Sequence, residues 1–129
     1  MIEFDRTALA ARLAHLPGLK LAILFGSAAT GGMRPDSDID LAVLTEAELE
    51  ADQKMALIGE IAELTGRTVD LVDLRRAGEP LLGQILKGIR LVGSDSDHAE
   101  LALRHLYANE DFMPYVRRIL EERRRSWIG

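Results

Sequence analysis

The chain has 129 residues and no cysteine. That excludes disulfides and zinc sites built on thiolates. It also lacks a long hydrophobic run: no apolar stretch approaches the roughly 18 residues of a membrane span. The first residues, MIEFDRTALAARLA, carry an early acid and no basic segment leading into an apolar one, so they do not read as a signal peptide. The expected location is the cytoplasm, with no membrane partner. Positive charge is in short supply as well. Lys and Arg total 16 against 21 Asp and Glu, a formal net charge of −5. Neither residues 1–93 nor residues 94–129 hold the cationic excess that phosphate-backbone binding needs, so direct nucleic-acid binding is not expected. The cluster Arg123-Arg124-Arg125 follows Glu121-Glu122 and reads as a complement to a helix dipole.

What is present is concentrated in LAILFGSAATGGMRPDSDIDLAVL. An apolar run ends at Gly26-Ser27, a loop of Gly, Ser, Pro and Asp follows, and a second run opens with Asp38-Ile39-Asp40. Alternate side chains of a strand point the same way, so Asp38 and Asp40 are expected on one face, about 7 Å apart at Cα. Two carboxylates on one face suit a hard divalent cation, and Mg²⁺ commonly brings nucleotide phosphates with it. A Gly-Ser turn lets backbone N–H groups approach a phosphate. These parts point to metal-assisted transfer from a nucleoside triphosphate. Three rival readings fail by position. A Walker A loop from Gly26 needs Lys at position 32, which is Gly32. A calcium loop from Asp36 needs Gly and Glu where Leu41 and Ala47 stand. A Gly-x-Gly-x-x-Gly fingerprint is absent.

The pattern predicts the order α-β-β-α-β-α-β-α. A helix over 5–16 presents Leu9, Leu13 and Leu16 and stops at Pro17-Gly18; strands follow over 19–25 and 38–44, with residues 26–37 as loop. In the second strand Ile39, Leu41 and Val43 face away from the carboxylates. Thr45 with Glu48 reads as a capping box for a helix running to Leu64, with Leu49, Met55, Ile58, Ile61 and Leu64 apolar and Gly66 as the stop. A third strand spans 67–74, a short helix 79–88 has Pro80 in its first turn, and 89–92 is a last strand. From about Asp95 to Trp127 the chain reads as helix with a break at Pro114, and Asp95-Ser96-Asp97 as cap or turn residues. The fold class is therefore α/β (α+β), a small mixed sheet of about four strands flanked by helices. Residues 1–129 read as one domain, with a core over 1–93 and a helical tail over 94–129. The tail is rich in Leu101, Leu103, Leu106, Tyr107, Phe112 and Trp127, a surplus that suits a protein partner.

A two-metal clamp needs more than two ligand residues. The third strand offers Asp70 and Asp73, which lie on opposite faces of a regular strand. Asp70 sits between Val69 and Leu71, where an acid is costly unless paired with a partner or a metal. Asp73, near the strand end, suits a turn. Ser27 and Arg34 are the candidates to meet a triphosphate. His15, His98 and His105 are read as surface or core-edge residues.

The segment FGSAATGGMRPDSDIDLAV resembles the minimal nucleotidyltransferases of the polymerase-beta-like superfamily. Their mark is Gly-Ser, ten residues, Asp-x-Asp, and a third acid on a neighbouring strand. The likeness covers Leu21–Leu44 closely and Thr68–Leu74 loosely. It implies that Gly26 and Ser27 hold the triphosphate, that Asp38 and Asp40 bind Mg²⁺ (two ions), and that Asp70 completes the metal site and helps deprotonate the acceptor. It departs where many relatives carry Arg beside the Gly-Ser turn: here positions 28–32 read Ala-Ala-Thr-Gly-Gly, and Arg34 is the candidate replacement. The resemblance further implies pairing with a HEPN-domain toxin, the nucleotidyltransferase being the antitoxin that transfers AMP from ATP to a tyrosine of its partner. The alternative is a non-catalytic antitoxin that masks its partner by contact. Transfer to a small molecule such as an aminoglycoside is a third reading, for which no substrate domain is visible unless a homo-oligomer builds one.

Overall fold

The computed structural model describes residues 4–34, 36–108 and 113–128. The first helix, α1 (Arg6–Ala14), starts where the Asp5 carboxylate accepts the Ala8 N–H at 3.0 Å, and its Leu9 and Leu13 are fully buried. Strand β1 (Leu19–Phe25) follows. It lies between β2 (Ile39–Thr45) and β4 (Ile89–Gly93), antiparallel to both, while β3 (Val69–Asp73) runs parallel to β2 on the far side. The order is β3-β2-β1-β4, a mixed four-stranded sheet as expected.

Leu21–Phe25 are all buried because both faces of β1 are covered. On one face Ala22 and Leu24 join Ile39, Leu41 and Val43 against α1 and the third helix. On the other, Leu21, Ile23, Phe25 and Ala42 pack with Leu82, Ile85 and Leu101 of later helices. Ile39, Leu41 and Val43 thus point away from Asp40's face, as their alternation requires.

The structure corrects several expectations. Residues 26–37 are not all loop: Ser27–Thr30 wind into a one-turn helix, α2, directly after β1. Thr45 is not a helix cap. It is the last residue of β2, paired with Leu19, and its hydroxyl donates to the Ala47 carbonyl. The helix α3 (Ala51–Thr65) instead begins after Glu50, whose N–H donates to Gln53 Oε1 at 3.0 Å, closing a capping box one short loop further on. Its buried stripe is Leu57 and Ile61. Met55 and Leu64 are 68% and 46% exposed. Met55 lies about 200° round the helix from Leu57, and Leu64 sits in the last turn before Gly66, which ends the helix in the left-handed region as expected.

After β3, the short helix α4 (Leu81–Leu86) follows Pro80, and α5 (Asp95–Ala108) is capped by Ser94, whose Oγ accepts the Asp97 N–H at 3.1 Å. Asp95 and Asp97 occupy the first turn of α5 and pair with Arg90 and Lys20. Pro114 is the second residue of α6 (Met113–Ile128) rather than a mid-helix kink. Helix α5 ends at Ala108 and α6 begins at Met113, and Phe112 and the side chain of Trp127 lie outside the described residues. In the tail Leu101 is buried, whereas Leu103, Tyr107 and Leu120 are exposed. His98 and His105 are half-buried and His15 exposed. Among the described residues no helix is long and apolar enough to cross a membrane.

Candidate active site

The site forms at one end of the sheet, where β1 finishes and β2 and β3 begin. Antiparallel pairing sets Asp40 opposite Phe25, the residue before the Gly26-Ser27 turn. Parallel pairing sets Asp40 opposite Asp70. Adjacent strands stand about 4.8 Å apart, so the register itself puts these two carboxylates side by side. Asp38 lies one residue before β2, in the loop leading to it. Strand pairing therefore brings Asp70 beside Asp40 from thirty residues away in sequence, and Asp38 comes to the same sheet end as the residue leading into β2.

Their charges interact. The Asp40 carboxyl is held above its ordinary value, first by burial, then by the neighbouring Asp70 carboxylate, then by Asp38. Asp38 and Asp70 themselves are exposed. Exposure of Asp70 differs from the buried mid-strand acid that its apolar neighbours suggested. The reason is topological: β3 is the edge strand, and sequence alternation cannot tell an edge from a centre. Asp73 pairs with Val43, on the opposite face, and its carboxylate accepts the Arg75 N–H at 2.9 Å in the following turn. It stands apart from Asp40.

Gly26 closes the site from the β1 side. Its backbone (φ 66, ψ −146) is open to glycine almost alone. A Cβ at this position would collide with Oδ2 of Asp40 and lie 3.3 Å from its Cγ. Ser27 opens α2, half-buried. The first N–H groups of a helix have no acceptor within it and face outward for an anion. Arg6 of α1 fastens this turn by donating to the Ala28 carbonyl at 3.2 Å. Arg34 is exposed in the loop; its N–H donates to Ser37 Oγ at 2.8 Å.

Two residues escaped the sequence reading. Arg67 Nη1 donates to the carbonyls of Arg34 (2.7 Å) and Ser37 (3.0 Å), and the Thr68 hydroxyl donates to the Asp38 carboxylate. Their signal is register: once β3 is known to run parallel to β2, residues 67–68 must stand beside residues 37–38.

The donor set is all carboxylate oxygen, which suits a hard divalent cation. Mutual repulsion among Asp40, Asp70 and Asp38 is what such a cation relieves. Among the described residues no three acidic or imidazole side chains already converge as a closed metal cage. The carboxylate chemistry of these residues fits a hard divalent cation.

A family model described as polymerase beta, nucleotidyltransferase matches residues 8–97. Over 91 residues the chain is 36% identical to the protein adenylyltransferase MntA of Shewanella oneidensis, an alignment covering 70% of this chain and 66% of that protein. It spans between half and two thirds of the curated MntA proteins it matches. A chain from the crystal structure of a toxin–antitoxin with AMP-PNP superposes with a TM-score of 0.71 and 30% identity, covering 91% of this chain and 94% of that one. A chain from the complex of tri-AMPylated Shewanella oneidensis HEPN toxin with MNT antitoxin gives 0.67 and 28%, covering 91% and 94%.

Proposed function

The chain belongs to the polymerase beta nucleotidyltransferase family, and we propose that it is a Mg²⁺-dependent adenylyltransferase that moves AMP from ATP to a tyrosine hydroxyl of a HEPN-domain toxin, thereby acting as its antitoxin. The observation that carries this reading is the Asp40–Asp70 register pair, with Asp38 beside it and Gly26 against it. The named activity of MntA and the tri-AMPylated state of the HEPN toxin in the similar complex supply the donor group and the partner class.

In this reading Asp38, Asp40 and Asp70 hold Mg²⁺, two ions in the full assembly. Bound there, the metal supplies charge neutralisation at the transferring phosphate and at the leaving pyrophosphate. The Gly26-Ser27 turn receives the phosphates through backbone N–H groups and the Ser27 hydroxyl. Arg34 adds the positive charge that Ala28, Ala29 and Thr30 do not. The acceptor oxygen attacks the α-phosphorus in line, the bond to the β-phosphate oxygen breaks, and the hydroxyl proton passes to a carboxylate. Asp70, exposed on the edge strand, is the carboxylate assigned that proton in this reading. Leu103, Tyr107 and Leu120 give the tail an apolar surface for docking. A cytoplasmic setting provides the ATP.

The test is intact-mass spectrometry of the purified chain incubated with its HEPN partner, ATP and Mg²⁺. One or more AMP units should appear on the partner and vanish with Asp38→Asn. A stable complex that silences the toxin without any mass gain would replace transfer with masking by contact.

A further inference from the structure

Asp38 is the weakest-held member of the carboxylate group by position. It is exposed and precedes β2, so no ladder partner fixes it. The loop before it contains Gly31 and Gly32, and its described internal bonds are few: Arg34 N–H to Ser37 Oγ at 2.8 Å, and Ser37 N–H to the Arg34 carbonyl at 3.0 Å. The neighbouring strand compensates. Among the described residues, Arg67 and Thr68, the two residues before β3, make these bonds around Asp38. Arg67 Nη1 donates to the carbonyls of Arg34 and Ser37. The Thr68 carbonyl accepts the Ile39 N–H at 2.9 Å. The Thr68 hydroxyl donates to Oδ1 of Asp38. The residue before Asp38, the residue after it and its own carboxylate are thus all tied to one dipeptide.

We propose that Arg67 and Thr68 are positioning residues for the metal site: they clasp the loop end and orient the Asp38 carboxylate so that it serves as a cation ligand. An ionised carboxylate has about four acceptor sites, so one bond from Thr68 restricts the group without exhausting it. Groups that hydrogen-bond a metal ligand commonly set metal affinity by about 10–100-fold. The clasp acts before any acceptor arrives, since every bond in it lies within this chain. The inference rests on the metal-dependent reading above and goes beyond it to residues outside the Gly-Ser and Asp-x-Asp motif.

The test uses the whole chain and the Mn²⁺ complex of AMP-PNP as probe, with binding read by isothermal titration calorimetry. Thr68→Val keeps the shape and removes the hydroxyl; it should weaken binding about tenfold or more. Thr68→Ser restores the hydroxyl and should return affinity to within about twofold of the unaltered chain, a rescue that a purely structural role for Thr68 does not predict. Arg67→Ala should weaken binding in the same direction, with thermal melts reporting that each variant is folded. Equal affinity for the unaltered chain, Thr68→Val and Arg67→Ala, while Asp40→Asn loses binding, would overturn the clasp and leave the metal site standing. If the unaltered chain itself does not bind the probe, the metal-dependent transfer reading falls and the clasp falls with it.

Discussion

Gly26 leaves the space that the Asp40 carboxylate occupies. Gly26 directly follows β1 and Asp40 lies on the neighbouring strand β2, and a Cβ at Gly26 would collide with Oδ2 of Asp40. Gly26→Ala therefore has two consequences of different size. Its backbone geometry costs the fold about 1–3 kcal/mol. The collision involves the free end of a side chain, so it is relieved by turning the carboxylate, which removes Asp40 from its place beside Asp70. Chemical denaturation should show the modest stability loss, and AMP transfer should fall by about 100-fold or more, as for the loss of a group that stabilises transition-state charge. A variant that keeps full transfer would mean that the position of Asp40 against the turn is not needed.

Crowded acids also make a prediction about stability. The Asp40 carboxyl is raised by burial and by Asp70 and Asp38. The folded chain then holds this proton to higher pH than the unfolded chain does. Stability is lost as pH climbs from the ordinary value of 3.8 through the raised one, and the loss persists above it. Asp40→Asn should therefore melt higher than the unaltered chain at pH 7 without divalent cation. The gap should close below pH 3.8, where both carry a neutral group. Adding Mg²⁺ should raise the melting temperature of the unaltered chain and raise that of Asp40→Asn less, because the ligand stabilises only the state that binds it. Scanning fluorimetry across pH, with and without Mg²⁺, checks all three.

Particular residues show how far the sequence carried the fold. A short apolar run was enough for β1, where Leu19–Phe25 matches the expected strand end to end, and local alternation was enough for the outward turn of Asp40 from Ile39, Leu41 and Val43. Competition between local signals was not resolved. Thr45 and Glu48 have the spacing of a capping box, but Thr45 pairs with Leu19 as part of β2, and Glu50 with Gln53 caps α3 instead. Ser27–Thr30 is too short for periodicity to reveal as a helix. Arg67 and Thr68 were invisible for another reason. Nothing in their own neighbourhood marks them, and their role exists only once β3 is laid parallel to β2.

The corrected face of α3 is open to a direct comparison. Leu57 is 3% exposed against the sheet, whereas Met55 is 68% exposed. Leu57→Ala should cost about 2–5 kcal/mol, since it opens a cavity beneath a packed helix. Met55→Ala should change stability by less than about 0.5 kcal/mol, as surface substitutions usually do. Urea melts of the two variants decide the register; similar losses would return Met55 to the core.

Asp70 and Asp73 lie three residues apart on β3, and the sheet sends them to opposite faces. Asp70 pairs with Asp40, while Asp73 pairs with Val43 and accepts the Arg75 N–H. Conservative replacement should therefore separate chemistry from structure. Asp70→Asn keeps the shape and removes one negative charge from the group around Asp40. Transfer should fall by about 100-fold or more with stability unchanged or slightly improved, because a repulsion has gone. Asp73→Asn leaves an oxygen that still accepts from Arg75, so transfer should stay within about twofold of the unaltered chain; Asp73→Ala, which loses that bond, should cost about 1 kcal/mol in a urea melt and leave transfer intact. The decisive measurement is AMP incorporation by the two Asn variants side by side. Loss of transfer in Asp73→Asn but not in Asp70→Asn would move the third carboxylate to the other face of the sheet, away from Asp40, and would break the assignment of this sheet end as the reacting centre.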